Sequence, residues 1–135
     1  MMDTETRASV WQRAERRCEY CRLHSEDWKA FGFHIEHIYA KKHGGSDDLQ
    51  NLCLSCPQCN WAKGSDLSGL LDGKIIPLFH PRRQTWARHF QWDGSVLIGK
   101  TLCGKTTIQV LDINDPRRVQ MRQTLSDEGR FPPED

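Results

Sequence analysis

Cys18-Glu-Tyr-Cys21 and Cys56-Pro-Gln-Cys59 are two Cys-x2-Cys pairs in a chain of 135 residues. Each pair puts two thiolates on one tight turn, which is half of a tetrahedral Zn²⁺ site. Two pairs complete a closed structural site with no position left for substrate. The stretch from Cys18 to Lys63 is near the lower limit for a core that folds unaided. Structural zinc contributes about 10–16 kcal/mol of apparent binding energy in finger peptides, which is ample to hold such a segment together. Disulfides, an iron site of rubredoxin type and chance spacing are the competing readings of the same four residues. Cys53 and Cys103 stand outside the pairs and are read as packed apolar residues rather than ligands.

Between the pairs lies GFHIEHIYAKKHGG, residues 32 to 45, with three histidines and a glutamate. That is more titratable chemistry than a short strand needs in order to fold. His37-Ile38, the Gly44-Gly45 loop, Asp48, Asn51-Leu52 and Cys56-x2-Cys59-Asn60-x2-Lys63-Gly64 then follow in order. This set resembles the signature of the HNH nucleases, which share the ββα-metal fold. The signature positions fall on His37, Asn51 and Asn60, an H-N-N variant with gaps of fourteen and nine residues.

The resemblance implies a metal-dependent endonuclease that hydrolyses DNA phosphodiester bonds, by nicking or double-strand cutting, and leaves a 5′ phosphate and a 3′ hydroxyl. It implies His37 as the general base. Glu36 and Asn60 would hold one catalytic divalent ion, Mg²⁺ or Mn²⁺, with the four cysteines as a separate structural zinc site. Asn51 would tie the hairpin strands together and orient the backbone that fixes the His37 ring. Lys63 would either contact a backbone phosphate or stand as a solvated helix residue. Two departures stand out: Glu36 occupies a position where the family commonly has aspartate, and Tyr39-Ala40-Lys41 replaces a frequent proline.

The elements that must position these residues give an α+β class: a small ββα-metal core with zinc knuckles over 1–66 and a C-terminal α/β extension over 67–135. A helix is expected from Thr6 to Arg17, with Val10, Trp11 and Ala14 on one face. Strands are expected at Phe33–Ile38 and Asn51–Leu54, and a helix near Asn60. In the extension, Trp86 and Phe90 suggest a helical turn, and Ser95–Ile98 reads as a strand after Asp93-Gly94. Thr106–Ile113 is balanced, its β-branched residues favouring strand and its apolar spacing permitting helix. Asp115-Pro116 fits an N-cap with proline at the first helical position, so Arg117–Leu125 reads as a helix. The extension is expected to pack with the core as part of one compact domain.

The net charge of +1 does not announce a nucleic-acid binder. Residues 64–125 nevertheless carry nine basic against five acidic side chains, compatible with phosphate contacts. Arg82, Arg83 and Arg88, interleaved with Trp86, Phe90 and Trp92, either track a DNA backbone or form a solvated face over an aromatic core. His34 is a candidate accessory ligand or phosphate contact, His43 a solvent-exposed loop residue, and His80 and His89 structural residues. No apolar run approaches the roughly 18 residues of a membrane span, and the first 17 residues contain no apolar signal core. A cytoplasmic protein with DNA as its partner and no membrane association is the expectation; a dimer would be needed for concerted double-strand cutting. From a different class comes a non-catalytic zinc module that binds nucleic acid or protein.

Overall fold

The Asp3 carboxylate accepts the Thr6 amide proton at 2.7 Å, satisfying one of the open N–H groups of a first helical turn. The helix it caps, α1, spans Thr4–Arg13. The computed structural model describes residues 2–28 and 32–133. The chain forms two compact units, Met1–Ser65 with His80–Gln84, and Asp66–Phe79 with Thr85–Asp135. Apolar spacing predicts a helix reaching Arg17, but α1 stops short. Glu15 and Arg16 take positive φ angles of 54° and 61°, and Arg17 pairs with His24 in an antiparallel bridge. That turn delivers Cys18 into its knuckle, where the Cys18 amide donates to the Leu23 carbonyl at 2.9 Å.

In the first unit, β1 (His34–His37) and β2 (Leu52–Ser55) run antiparallel, pairing Ile35 with Leu54, Glu36 with Cys53 and His37 with Leu52. Side chains of a strand alternate between faces. Leu52 and Leu54 share one face and pack with Val10 of α1 and with Ala14, its C-cap, joined by Ile35, Trp11 and Phe33. Glu36 and Cys53 go to the other face. Helix α2 (Pro57–Lys63) follows β2, with Pro57 at its first turn and Cys56 as N-cap, which completes a β-β-α order. The returning segment His80–Gln84 adds Arg82, whose guanidinium forms an ion pair with Glu19. The second Glu19 oxygen accepts the Leu54 amide proton at 2.8 Å.

The second unit is built on two hairpins. Strands β3 (Ser68–Leu71) and β4 (Lys74–Pro77) turn at Asp72-Gly73, both with positive φ, as tight hairpin turns require. A short helix α3 (Trp86–His89) runs directly into β5 (Phe90–Asp93), which pairs with β6 (Val96–Gly99). The Trp86–Phe90 spacing predicts only a helical turn; the strand that starts at Phe90 is additional. Helix α4 (Leu102–Val110) resolves the balanced segment in favour of helix. Thr101 caps it, and it lies against β3, β4 and β6 with Thr106 and Thr107 fully buried. Here packing overrides the β-branched propensity. Helix α5 (Pro116–Asp127) starts as expected with Asp115 as N-cap and Pro116 in its first turn.

The aromatics of this unit are core. Phe79 and Trp86 each pack on Phe90, and Trp92 meets Phe131 edge-on with ring centroids 4.8 Å apart. Arg122 of α5 is 1% exposed; it lies over the Trp92 ring and donates to the Ser95 carbonyl at 2.9 Å. No helix among the described residues is long and apolar enough to cross a membrane.

Close approach of α4 to α3 depends on Gly104, where an added Cβ would stand 2.1 Å from the His89 carbonyl oxygen. Alanine ordinarily gains about 1 kcal/mol over glycine inside a helix. At this position the clash outweighs that gain, and Gly104→Ala is expected to cost about 1–3 kcal/mol. A thermal melt of the full chain checks this, and a midpoint that rises would show that the His89 backbone gives way.

Candidate functional site

The sulfur atoms of Cys18, Cys21, Cys56 and Cys59 all lie within 4.8 Å of one another and all four residues are buried. Local backbone sets each pair. The Cys21 amide points at the Cys18 sulfur at 3.5 Å, and the Cys59 amide at the Cys56 sulfur at 3.3 Å, where it caps α2. Cys21 and Cys56 sulfurs are 3.7 Å apart, far beyond the roughly 2.05 Å of a disulfide. A Zn–S bond of about 2.3 Å in a tetrahedron demands sulfur–sulfur edges near 3.8 Å, so the donor set fits. Burial pushes the Cys59 thiol up, so this environment favours thiolates only with a cation among them. Among the described residues, these cysteines are the one group of three or more His, Cys, Asp or Glu whose donor atoms converge in this way.

Glu36 and His37, adjacent in sequence, part company on β1. The Glu36 side chain is 5% exposed, and its Oε1 receives the Lys63 ammonium at 2.7 Å and the Tyr20 hydroxyl at 3.3 Å. Cys53, its cross-strand partner, brings a sulfur to 3.9 Å from Oε2. Burial pushes the Glu36 carboxyl up, against the pull of Lys63. Lys63 also donates to the Ile38 carbonyl at 3.0 Å and is itself 2% exposed. A pair so placed ties the last turn of α2 to β1.

His37 lies on the opposite face with its side chain 22% exposed, and its Nε2 stands 2.7 Å from Asp47 Oδ1. The other Asp47 oxygen meets Lys41 at 3.2 Å. Hydrogen bonds from His37 and Lys41 hold the Asp47 carboxyl below its usual range. Asn51, buried behind this loop, donates to the Tyr39 and Ser46 carbonyls at 3.0 and 2.8 Å, and its Oδ1 accepts the Tyr39 amide proton at 2.8 Å. Its backbone carbonyl accepts from Ile38 at 2.8 Å. A Cβ at Gly45 would come within 1.7 Å of the Tyr39 carbonyl oxygen, so only glycine closes the loop this tightly.

Residues 18–66 match the family model of the HNH endonucleases. They form an HNH domain. The chain is also similar to the Septu protein PtuB of Bacillus thuringiensis, 28% identical over 113 residues, which cover 82% of this chain and 42% of that protein. This chain thus spans less than half of that relative's length. No solved structure is a significant match.

Within the HNH domain the expected site residues separate into groups. His37 and Asn51 frame one loop, as described. Asn60 is half-buried on α2. Glu36 and Asn60 were the expected ligands of a catalytic ion, yet the Glu36 carboxylate is enclosed and bonded to an ammonium. A hydrated Mg²⁺, which keeps several waters, does not fit beside it in this arrangement. Lys63, expected at a phosphate, is spent on that same carboxylate. His34 is exposed and two residues from Glu36, on the face opposite to His37.

Of the arginines, Arg82 is held by Glu19, and burial lowers its pKa to about 10, leaving it closed to a phosphate. Arg83 stays exposed beside Tyr39, donating to its hydroxyl at 3.3 Å with the guanidinium 5.5 Å from the ring centroid. Arg88 is exposed on α3 of the second unit. Asp47, the partner of the His37 ring, is a candidate site residue that sequence reasoning misses: beside Gly44-Gly45 nothing in its spacing distinguishes it from the neighbouring Asp48.

Removing one partner of a buried ion pair strands the other charge, at a cost of about 3–5 kcal/mol. Lys63→Met is therefore expected to destabilise the zinc-loaded protein by that order, and Lys63→Met with Glu36→Leu to recover much of it. Denaturant midpoints of the three proteins measure this. A single variant as stable as wild type would show that Glu36 finds other compensation.

Proposed function

We propose that this protein is an HNH endonuclease that hydrolyses DNA phosphodiester bonds, with His37 as general base and Zn²⁺ in the four-cysteine cluster. The observation that carries the reading is the placement of His37. In a segment that matches the HNH family, it is a partly exposed imidazole on a hairpin whose loop Asn51 braces through three side-chain hydrogen bonds. A neutral imidazole held in place takes the proton of an attacking water, an effect worth about 10²–10⁴-fold. Arg83 and Tyr39 lie in the same unit, next to the strand end, and supply an exposed cation for the DNA backbone. Catalysis of this kind is assisted by a divalent ion, Mg²⁺ or Mn²⁺, that stabilises charge on the phosphate. The Glu36 carboxylate, bonded to Lys63 and Tyr20, does not fit as its ligand.

Incubation of supercoiled plasmid with the full chain and Mg²⁺ or Mn²⁺, beside His37→Ala, tests the reading. Wild type should convert the plasmid to nicked or linear form, and His37→Ala should lose at least about 10²-fold of that rate. Equal cutting by both would overturn His37 as the base. The buried Glu36–Lys63 pair favours a second reading, a zinc module that binds nucleic acid without cutting it; binding by a wild type that cuts neither DNA nor RNA would support that one.

Zinc binding and folding are one event where the metal completes the core. Cys56→Ala should lose bound zinc, read by elemental analysis, together with its cooperative unfolding transition. A variant that keeps both would sink the zinc assignment.

A further inference from the structure

The closest partner of the His37 ring is Asp47, a loop residue ten positions further along the chain. At neutral pH an aspartate in this setting is ionised, and an ionised carboxylate only accepts hydrogen bonds. The 2.7 Å contact between Nε2 and Oδ1 therefore has one polarity: Nε2–H donates and Asp47 accepts. A neutral imidazole carries a single N–H, so placing it on Nε2 leaves Nδ1 with the lone pair. We propose that Asp47 is the positioning residue of His37, fixing the tautomer and ring orientation in which Nδ1 is the proton acceptor. The proposal rests on the nuclease reading for its catalytic consequence, though not for the tautomer itself.

The loop is built to hold that carboxylate still. Asn51 grips the chain on both sides of the loop, at Tyr39 and at Ser46, the residue before Asp47. Gly45 lets the loop close against the Tyr39 carbonyl. Lys41 takes the remaining oxygen at 3.2 Å and orients the carboxylate from its far side. Once Nδ1 has taken a proton from water, the ring is cationic and its charge faces the Asp47 anion directly. Water loses one proton to Nδ1, and its oxygen bonds to phosphorus as the P–O3′ bond breaks. The 3′ oxygen leaves with the electron pair and takes a proton from solvent water, while the Nε2 proton stays where it was. Asp47 touches neither substrate nor water in this account; it acts through the ring. This gives Asn51 a definite task, since its grip on Ser46 is what presents Asp47 to His37.

The test uses the zinc-loaded full chain. In ¹⁵N-labelled protein, the imidazole resonances of His37, identified by their loss in His37→Ala, should show a protonated Nε2 and an unprotonated Nδ1. Asp47→Asn, whose amide can donate to the ring, should shift His37 towards the other tautomer. In plasmid cleavage it should lower kcat by roughly 10²–10⁴-fold, the range of general-base assistance, with KM for DNA changed less than about threefold. Asp47→Glu should recover part of kcat. A wild-type His37 protonated on Nδ1, a tautomer indifferent to Asp47→Asn, or a loss that falls on KM alone would each overturn the proposal. If the wild type cuts nothing while the tautomer responds as stated, the nuclease reading fails and the positioning contact stands.

Discussion

Two neighbouring residues on an extended strand face opposite ways, and this single constraint organises the HNH domain. On β1 it sends Glu36 inward, among Tyr20, Cys53 and Lys63, and turns His37 towards Asp47. A carboxylate in the interior needs a counter-charge, so α2 must end with its lysine over the hairpin. An imidazole at the surface needs an orienting partner, so the loop between the strands must fold back. The first demand fixes the helix on the sheet, and the second shapes the loop. Both follow from one peptide bond between Glu36 and His37.

Around that hairpin the first unit combines apolar burial with polar and sulfur contacts. One apolar cluster is centred on Val10, Ala14, Leu52 and Leu54, and Tyr20, Leu23, Ile38 and Cys53 are buried as well. The cysteine cluster, the Glu36–Lys63 pair and the Glu19–Arg82 pair add polar and sulfur contacts to this burial. Glu19 joins two of these supports, since it stands between Cys18 and Cys21 in sequence and accepts from the β2 backbone. The second unit is different in kind: hairpins and helices around stacked Phe79, Trp86, Phe90 and Trp92, with Arg122 and Asn114 satisfying the backbone of the β5–β6 hairpin.

How much of this can be read from residues alone varies with the range of the interaction. The cysteine pairs are legible because their chemistry is carried by a four-residue spacing. The β-β-α order and the Asp115-Pro116 helix start are legible for the same local reason. Glu36 and His37 mislead: a family pattern joins them in one site, while strand alternation sends them to opposite faces. Lys63 and Arg82 look like phosphate-seeking cations until their long-range partners Glu36 and Glu19 are known. Asp47 is the opposite case, an ordinary turn residue whose target is set by the loop's three-dimensional closure. The segment at Thr106 was balanced on propensity, and only the hairpins packed against α4 decided it.

The segment His80–Gln84 makes the first unit discontinuous in sequence. The family match ends at residue 66, yet the unit that contains it takes back five residues from beyond the β3–β4 hairpin. A recombination event that carried only the matched segment into another protein would leave behind Arg82 and expose Glu19 as an unneutralised acid against the zinc knuckle. A fragment that keeps the first unit whole, with the ion pair of Glu19 and Arg82, must therefore run at least to residue 84 and carry the β3–β4 hairpin with it.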